Sequence, residues 1–173
     1  MKPTQHEATK TRGEKSPFQP KIIVIDDDSI VTSVIRHHLK TNFPQAVIEV
    51  SNEPIVRPGY DIYFLDNDFG GLPMAKSLLQ QVREASPHAL VVALSNTLDL
   101  EVMRDLINGG CNIVYDKRYP ADSIEARQVI YNYLAVLEDR HNQVNRPGLI
   151  DLANSLKRLL GEWNARLNKE IAS

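Results

Sequence analysis

Hydrophobic positions in this chain fall into short bursts at a regular beat. Residues 22–25 (IIVI), 46–50 (AVIEV), 62–65 (IYFL), 89–94 (ALVVAL) and 113–115 (IVY) are runs rich in Val and Ile. Several of them are continuous, not alternating, which is the pattern of strands buried on both faces of a parallel sheet. Between the runs, residues 29–40, 73–84, 98–108 and 123–140 place apolar side chains three and four apart, and each predicts a helix. Pro73 suits the first turn of the second of these helices. Strands and helices alternating at these lengths predict a doubly wound α/β sandwich around a parallel sheet.

One connection breaks the beat. Between the second and third runs the chain reads SNEPIVRPGYD, and Pro54 and Pro58 leave no room for a full helix. The second crossover is therefore expected to be an extended loop or a single turn, leaving one face of the sheet less covered. At the two ends the pattern changes again. Residues 1–20 offer Phe18 as the only large apolar side chain after Met1 and predict a disordered tail. The last helix of the sandwich is stopped by Asn145-Arg146-Pro147-Gly148. A second amphipathic segment then carries Leu149, Leu152, Leu156, Leu159, Leu160, Trp163, Leu167 and Ile171. The organisation expected is a tail over 1–20, a domain over 21–142 and a C-terminal helical extension over 143–173. The extension's apolar stripe needs a covering surface, either the preceding domain or a second copy in a homodimer.

Composition narrows the function. Twenty Lys and Arg against 22 Asp and Glu give a net charge of −2, which argues against a wholesale nucleic-acid or anionic-membrane binder. The extension is too short for a winged helix and nearly balanced in charge, so direct DNA binding is not expected. The single Cys111 excludes an intramolecular disulfide and fits a reducing compartment. No apolar stretch approaches the roughly 20 residues that span a bilayer, and residues 1–20 hold no secretory signal core. The expectation is a soluble cytoplasmic protein.

Candidate chemistry gathers where such a fold puts it, beyond the carboxyl ends of the strands. The first strand ends in Asp26-Asp27-Asp28, the third in Asp66-Asn67-Asp68, the fourth in Ser95-Asn96 and the fifth in Asp116-Lys117. Carboxylates about 5 Å apart repel one another and raise their own pKa values unless a cation intervenes. Hard oxygen ligands suit Mg²⁺. Three carboxylates, one lysine and one divalent ion sum to zero charge, so such a site accepts a phosphoryl group without a large opposing field. A carboxylate can be the nucleophile, forming an aspartyl phosphate, while lysine, hydroxyl and metal hold the transferring oxygens.

KIIVIDDDS, FLDND, ALSN and VYDK, in that order, resemble the receiver domain of bacterial two-component response regulators, a CheY-like domain, over about residues 21–140. The resemblance implies a flavodoxin-like five-stranded sheet of order 2-1-3-4-5 with a degenerate second crossover helix. It implies Asp66 as phosphoacceptor, Asp26 and Asp27 as the Mg²⁺-binding acid pair, and the Asp68 backbone carbonyl as a further ligand. Ser95 would be the switch hydroxyl and Lys117 the phosphate-contacting lysine. The implied partners are a histidine kinase or phosphotransfer protein upstream and a downstream protein target, with output through protein contact and not through turnover.

The sequence departs from that family at four places. Arg118, not proline, follows the lysine, with Pro120 two residues on. Val114 stands where an inward-swinging aromatic is usual, and Tyr115 beside it points to the other face. Asn96 is larger than the usual small residue after the hydroxyl. The second crossover helix is missing. Two other readings stay open at this point. One is a phosphohydrolase of the haloacid dehalogenase type, with Asp66 as nucleophile and Asp68 as acid/base, although its metal acids would be expected downstream of Lys117. The other is a degenerate receiver that binds partners without being phosphorylated.

Overall fold

The structure is a computed structural model that describes residues 17–96, 99–117 and 124–143. The chain divides into two compact units, one ending at Ala121 and one beginning at Asp122. The first holds five parallel strands: β1 Lys21–Ile25, β2 Val47–Ser51, β3 Ile62–Asp66, β6 Leu90–Ser95 and β7 Ile113–Asp116. Their order is β2-β1-β3-β6-β7. This is the expected 2-1-3-4-5 order once the two short strands of an inserted hairpin, β4 Asp68–Phe69 and β5 Leu72–Pro73, are set aside. The helices of this unit are α1 Ser29–Asn42, α2 Ala75–Ala85 and α3 Leu100–Asn108. The second unit contributes α4 Ile124–Gln143, twenty residues long. The architecture is α/β and flavodoxin-like, as the alternation of elements predicts.

Register explains why the uninterrupted apolar runs became the central strands. Ile23, Tyr63 and Val91 lie in one row across the sheet, and Ile25, Leu65, Ala93 and Val114 in the next. These side chains form one core cluster with Leu78, Leu79 and Val82 of α2 and Leu106 of α3. The alternate residues Ile22, Val24, Ile62, Phe64, Val92 and Leu94 are buried as well. On α1, Thr32, Ile35 and Leu39 are the buried positions, spaced three and four apart as the pattern requires. Asp28 caps α1, its carboxylate accepting from the Ile30 and Val31 N–H groups at 2.8 and 3.2 Å.

Two expectations need correction. Pro73 does not open α2. It pairs with Asp68 in the two-stranded hairpin, and the helix begins at Ala75. The turn is Gly70-Gly71, both at positive φ (57° and 83°), the combination a two-residue type I′ turn demands. The second correction concerns the missing crossover helix. Residues 52–61 do run as a loop, yet the sheet face beneath is not left open: Ile23, Ile25 and Tyr63 have no exposed surface. Val56 and Tyr60 of the loop pack onto that cluster, and the Tyr63 hydroxyl donates to the Arg57 carbonyl at 2.8 Å. A large aromatic reaching up from the sheet thus substitutes for a helix reaching down. The expected tail, Arg118, Pro120 and the amphipathic extension beyond Gln143 lie outside the described residues, apart from 17–20 of the tail.

Candidate functional site

The strand ends converge as the topology requires. Ile25 of β1 is level with Leu65 of β3, so Asp26 and Asp66 leave adjacent strands one residue later, side by side. Asp66 is level with Leu94 of β6, and Ser95 follows it. The Lys117 N–H donates to the Ser95 carbonyl at 2.9 Å, carrying the β6–β7 ladder one step further and bringing the lysine to the same edge.

Asp26 and Asp66 are both 0% exposed, and the Lys117 side chain is 5% exposed. The Lys117 ammonium bridges the two carboxylates, 2.8 Å from Asp26 Oδ2 and 2.8 Å from Asp66 Oδ1. Each buried carboxylate also accepts a backbone N–H two residues on: Asp28 N to Asp26 Oδ1 at 2.9 Å and Asp68 N to Asp66 Oδ1 at 3.0 Å. Burial of these groups without such partners would cost several kcal/mol each. Two fully buried oxygens, Asp26 Oδ2 and Asp66 Oδ2, have no other hydrogen-bond partner among the described residues; the first has the Lys117 ammonium at 2.8 Å, and the second is left with neither.

The electrostatics follow from that arrangement. Burial pushes the Asp66 carboxyl above the ordinary carboxylate range, against the lowering effect of the Asp68 N–H and Lys117. Burial also pulls on Lys117, downward, but its bonds to Asp26 and Asp66 outweigh that and hold its pKa above the usual lysine value.

Asp27 is exposed and its Oδ2 accepts the Gly70 N–H at 2.9 Å, so the hairpin turn holds the third carboxylate in place. Phe69, buried in the core cluster, and the Met74 N–H donating to the Asn67 carbonyl at 2.9 Å anchor that hairpin. Asp26, Asp27 and Asp66 each offer one oxygen, and the three lie within 4.8 Å of one another. An all-oxygen donor set, net negative, with one buried oxygen unpartnered, fits a hard divalent cation such as Mg²⁺. A small cavity lined by Asp27, Asp28, Asp68, Gly70, Gly71, Asn96 and Lys117 opens in front of them.

The structure therefore brings Asp26, Asp27, Asp66 and Lys117 into one cluster and sets buried Ser95 and the Asp68 backbone at its edge. Val114 faces the helix-side cluster, and Tyr115, level with Leu94, lies on the alternate row. Two features were not read from the sequence: the Lys117 contact to Asp26, and the Gly70 N–H on Asp27. The second had a signal in Gly70-Gly71, which marks a hairpin.

No family model and no curated protein matches the chain. Solved structures do. A signal receiver domain of a DNA-binding response regulator from Colwellia psychrerythraea 34H is 20% identical, covering 67% of this chain and 98% of its own, with a TM-score of 0.57. The beryllofluoride-activated receiver domain of DrrB, a Thermotoga maritima protein, is 16% identical over 68% of this chain and 99% of its own, TM-score 0.58. A response regulator from Burkholderia pseudomallei, solved with a phosphorylated aspartic acid, calcium and citrate, is 13% identical over 84% and 86%, TM-score 0.52. The fold is that of response-regulator receiver domains. Among the described residues no helix is long and apolar enough to cross a membrane.

Proposed function

We propose that this chain is a phosphoacceptor: a receiver domain over residues 21–142 that takes a phosphoryl group onto Asp66 from a histidine kinase or phosphotransfer protein. The observation that carries the reading is the unequal treatment of the two Asp66 oxygens. Oδ1 accepts from both Lys117 and the Asp68 N–H, whereas Oδ2 is buried and unpartnered, which leaves it as the nucleophile. In the transfer, Asp66 Oδ2 bonds to phosphorus while the donor's bond to phosphorus breaks and its electrons leave with the donor. Lys117, already within 2.8 Å of Asp66, neutralises charge spreading over the phosphoryl oxygens.

Asp26, Asp27, Asp66 and the Asp68 carbonyl are the residues that would hold Mg²⁺. When bound, the ion supplies counter-charge for the incoming phosphoryl group. Ser95, buried at the end of β6, is the hydroxyl that would meet the new oxygens in this reading. Phosphorylation adds close to two negative charges next to a lysine that now bridges two carboxylates, and so competes for that lysine. The resulting shift would be read by a protein target in the cytoplasm, and a homodimer through residues 143–173 would be a second output.

The test is incubation with Mg²⁺ and phosphoramidate, read by intact mass. A single-phosphoryl adduct that is lost in Asp66→Asn supports the reading. Multiple turnover of a phosphomonoester would instead indicate the hydrolase. Absence of both adduct and metal affinity would indicate a module that binds without phosphorylation.

A further inference from the structure

Helix α4 carries more apolar surface than one packing face uses. Ile130 and Leu134 are buried, each 5% exposed. A second stripe lies beside them: Val129 is 40% exposed, Val136 is 41% exposed, and Tyr133 between them is half-buried. Spacings of four and three set these three side chains in one row over two turns. Gln143 ends the helix. The chain continues, outside the described residues, through 144–148 with Pro147 and Gly148 into the leucine-rich segment from Leu149. Both stretches fall in the compact unit that runs from Asp122 to Ser173.

We propose that residues 149–163 fold back along α4 as an antiparallel helix and cover this second stripe, closing it to other partners. Three arguments choose the chain's own segment as occupant. A connection the length of 144–148 lies in the range of about two to eight residues that joins antiparallel neighbours in helical bundles, and Pro147-Gly148 suits a helix end and turn. Residues equally far from the middle of that connection come level: Val136 with Leu156, Tyr133 with Leu159 and Val129 with Trp163. The spacing of the extension, read backwards, is that of α4, so each side chain of the stripe meets a large apolar one. A shift of one heptad would either draw the end of α4 into the turn or leave Leu149 and Leu152 uncovered in it. Leu160, Leu167 and Ile171 flank the row used here and remain for the homodimer considered above. A protein target then reaches the α4 stripe only after the extension has left it.

The first measurement uses the unmodified full chain. Amide hydrogen exchange of peptides within 149–163, read by mass spectrometry, is expected to be slowed about tenfold or more against the rate of the unfolded chain. That exceeds what a lone, marginal helix provides, and it should persist down to the lowest concentration that can be read. Exchange at the unfolded rate, or protection that vanishes on dilution and so belongs to a second copy, would overturn the proposal. Oxidation tests the register in a Cys111→Ala background, which removes the buried free thiol. Facing positions of paired helices come close enough for a disulfide. Val136→Cys with Leu156→Cys is therefore expected to link within one chain. Val136→Cys with Arg158→Cys, turned to the far side of the extension, is expected not to. Links between chains, or no preference between the two pairs, would overturn the hairpin as well. Neither readout involves Asp66, so either result leaves the phosphoacceptor reading untouched.

Discussion

Lys117→Met removes the cation that bridges the buried carboxylates of Asp26 and Asp66, and its cost can be worked from the geometry. At 2.8 Å and an effective dielectric near 20, each contact is worth about 6 kcal/mol of gross Coulomb attraction. Desolvation of the three groups consumes much of that, and removing one partner from a buried pair measures about 3–5 kcal/mol in practice. A domain with about 5–15 kcal/mol in total would keep its fold but lose a large share of its stability. The pH dependence has a definite sign. Burial already raises the Asp66 pKa, and Lys117 acts to lower it. Without the lysine the carboxyl rises further above its unfolded value. The resulting penalty is absent below the unfolded pKa, grows as pH rises through the interval to the folded pKa, and is complete above it. Urea unfolding of both proteins between pH 4 and about pH 8 should therefore show a deficit of about 3 kcal/mol or more at the neutral end. That deficit should shrink as the solution is acidified. A variant within about 0.5 kcal/mol of the parent at neutral pH, or a deficit that grows on acidification, would refute the buried-bridge argument.

Other outcomes follow from the same geometry. Asp66→Asn should abolish phosphoryl capture and, in the absence of metal, leave the fold at least as stable at neutral pH. Its buried charge carries a raised pKa, which costs stability above that pKa; thermal melts with and without Mg²⁺ check this. Mg²⁺ at about 100 times its dissociation constant should stabilise the parent by about 2.7 kcal/mol, and Asp27→Asn should lose most of that shift in the same melts. Tyr63→Phe, which removes the hydroxyl bonded to the Arg57 carbonyl and the Ser86 hydroxyl, should cost about 0.5–1.5 kcal/mol in urea unfolding. Gly70→Val places a β-branched residue at φ 57°, so it should cost about 1–2 kcal/mol and weaken metal binding in a calorimetric titration, because the Gly70 N–H orients Asp27.

The parts of this molecule that were legible in the sequence are those where one physical term dominates. Residues 22–25, 62–65 and 89–94 are buried on both faces, so solvent never imposes alternation, and their continuous apolar runs read directly as strands. Asp26, Asp66, Ser95 and Lys117 could be placed because strand ends in a parallel sheet share one edge. What was missed depends on competition between local choices. Pro73 satisfies a helix's first turn and an isolated hairpin strand equally well, and the Gly70-Gly71 turn decided for the hairpin. The loop at 52–61 does lack a helix, but whether the face beneath lies open is a packing question. It was settled by Tyr63 and Tyr60, whose rings meet edge to face with centroids 5.8 Å apart. That Lys117 bridges Asp26 as well as Asp66 is likewise a matter of side-chain reach, on which strand register is silent.

Borohydride reduction of the phosphorylated chain, followed by peptide mapping, tests the central claim most directly, because it converts only an acyl-phosphorylated aspartate to homoserine. The account predicts homoserine at position 66 alone. Homoserine at position 26 or 27, or a label that resists reduction and maps to a histidine, would contradict it.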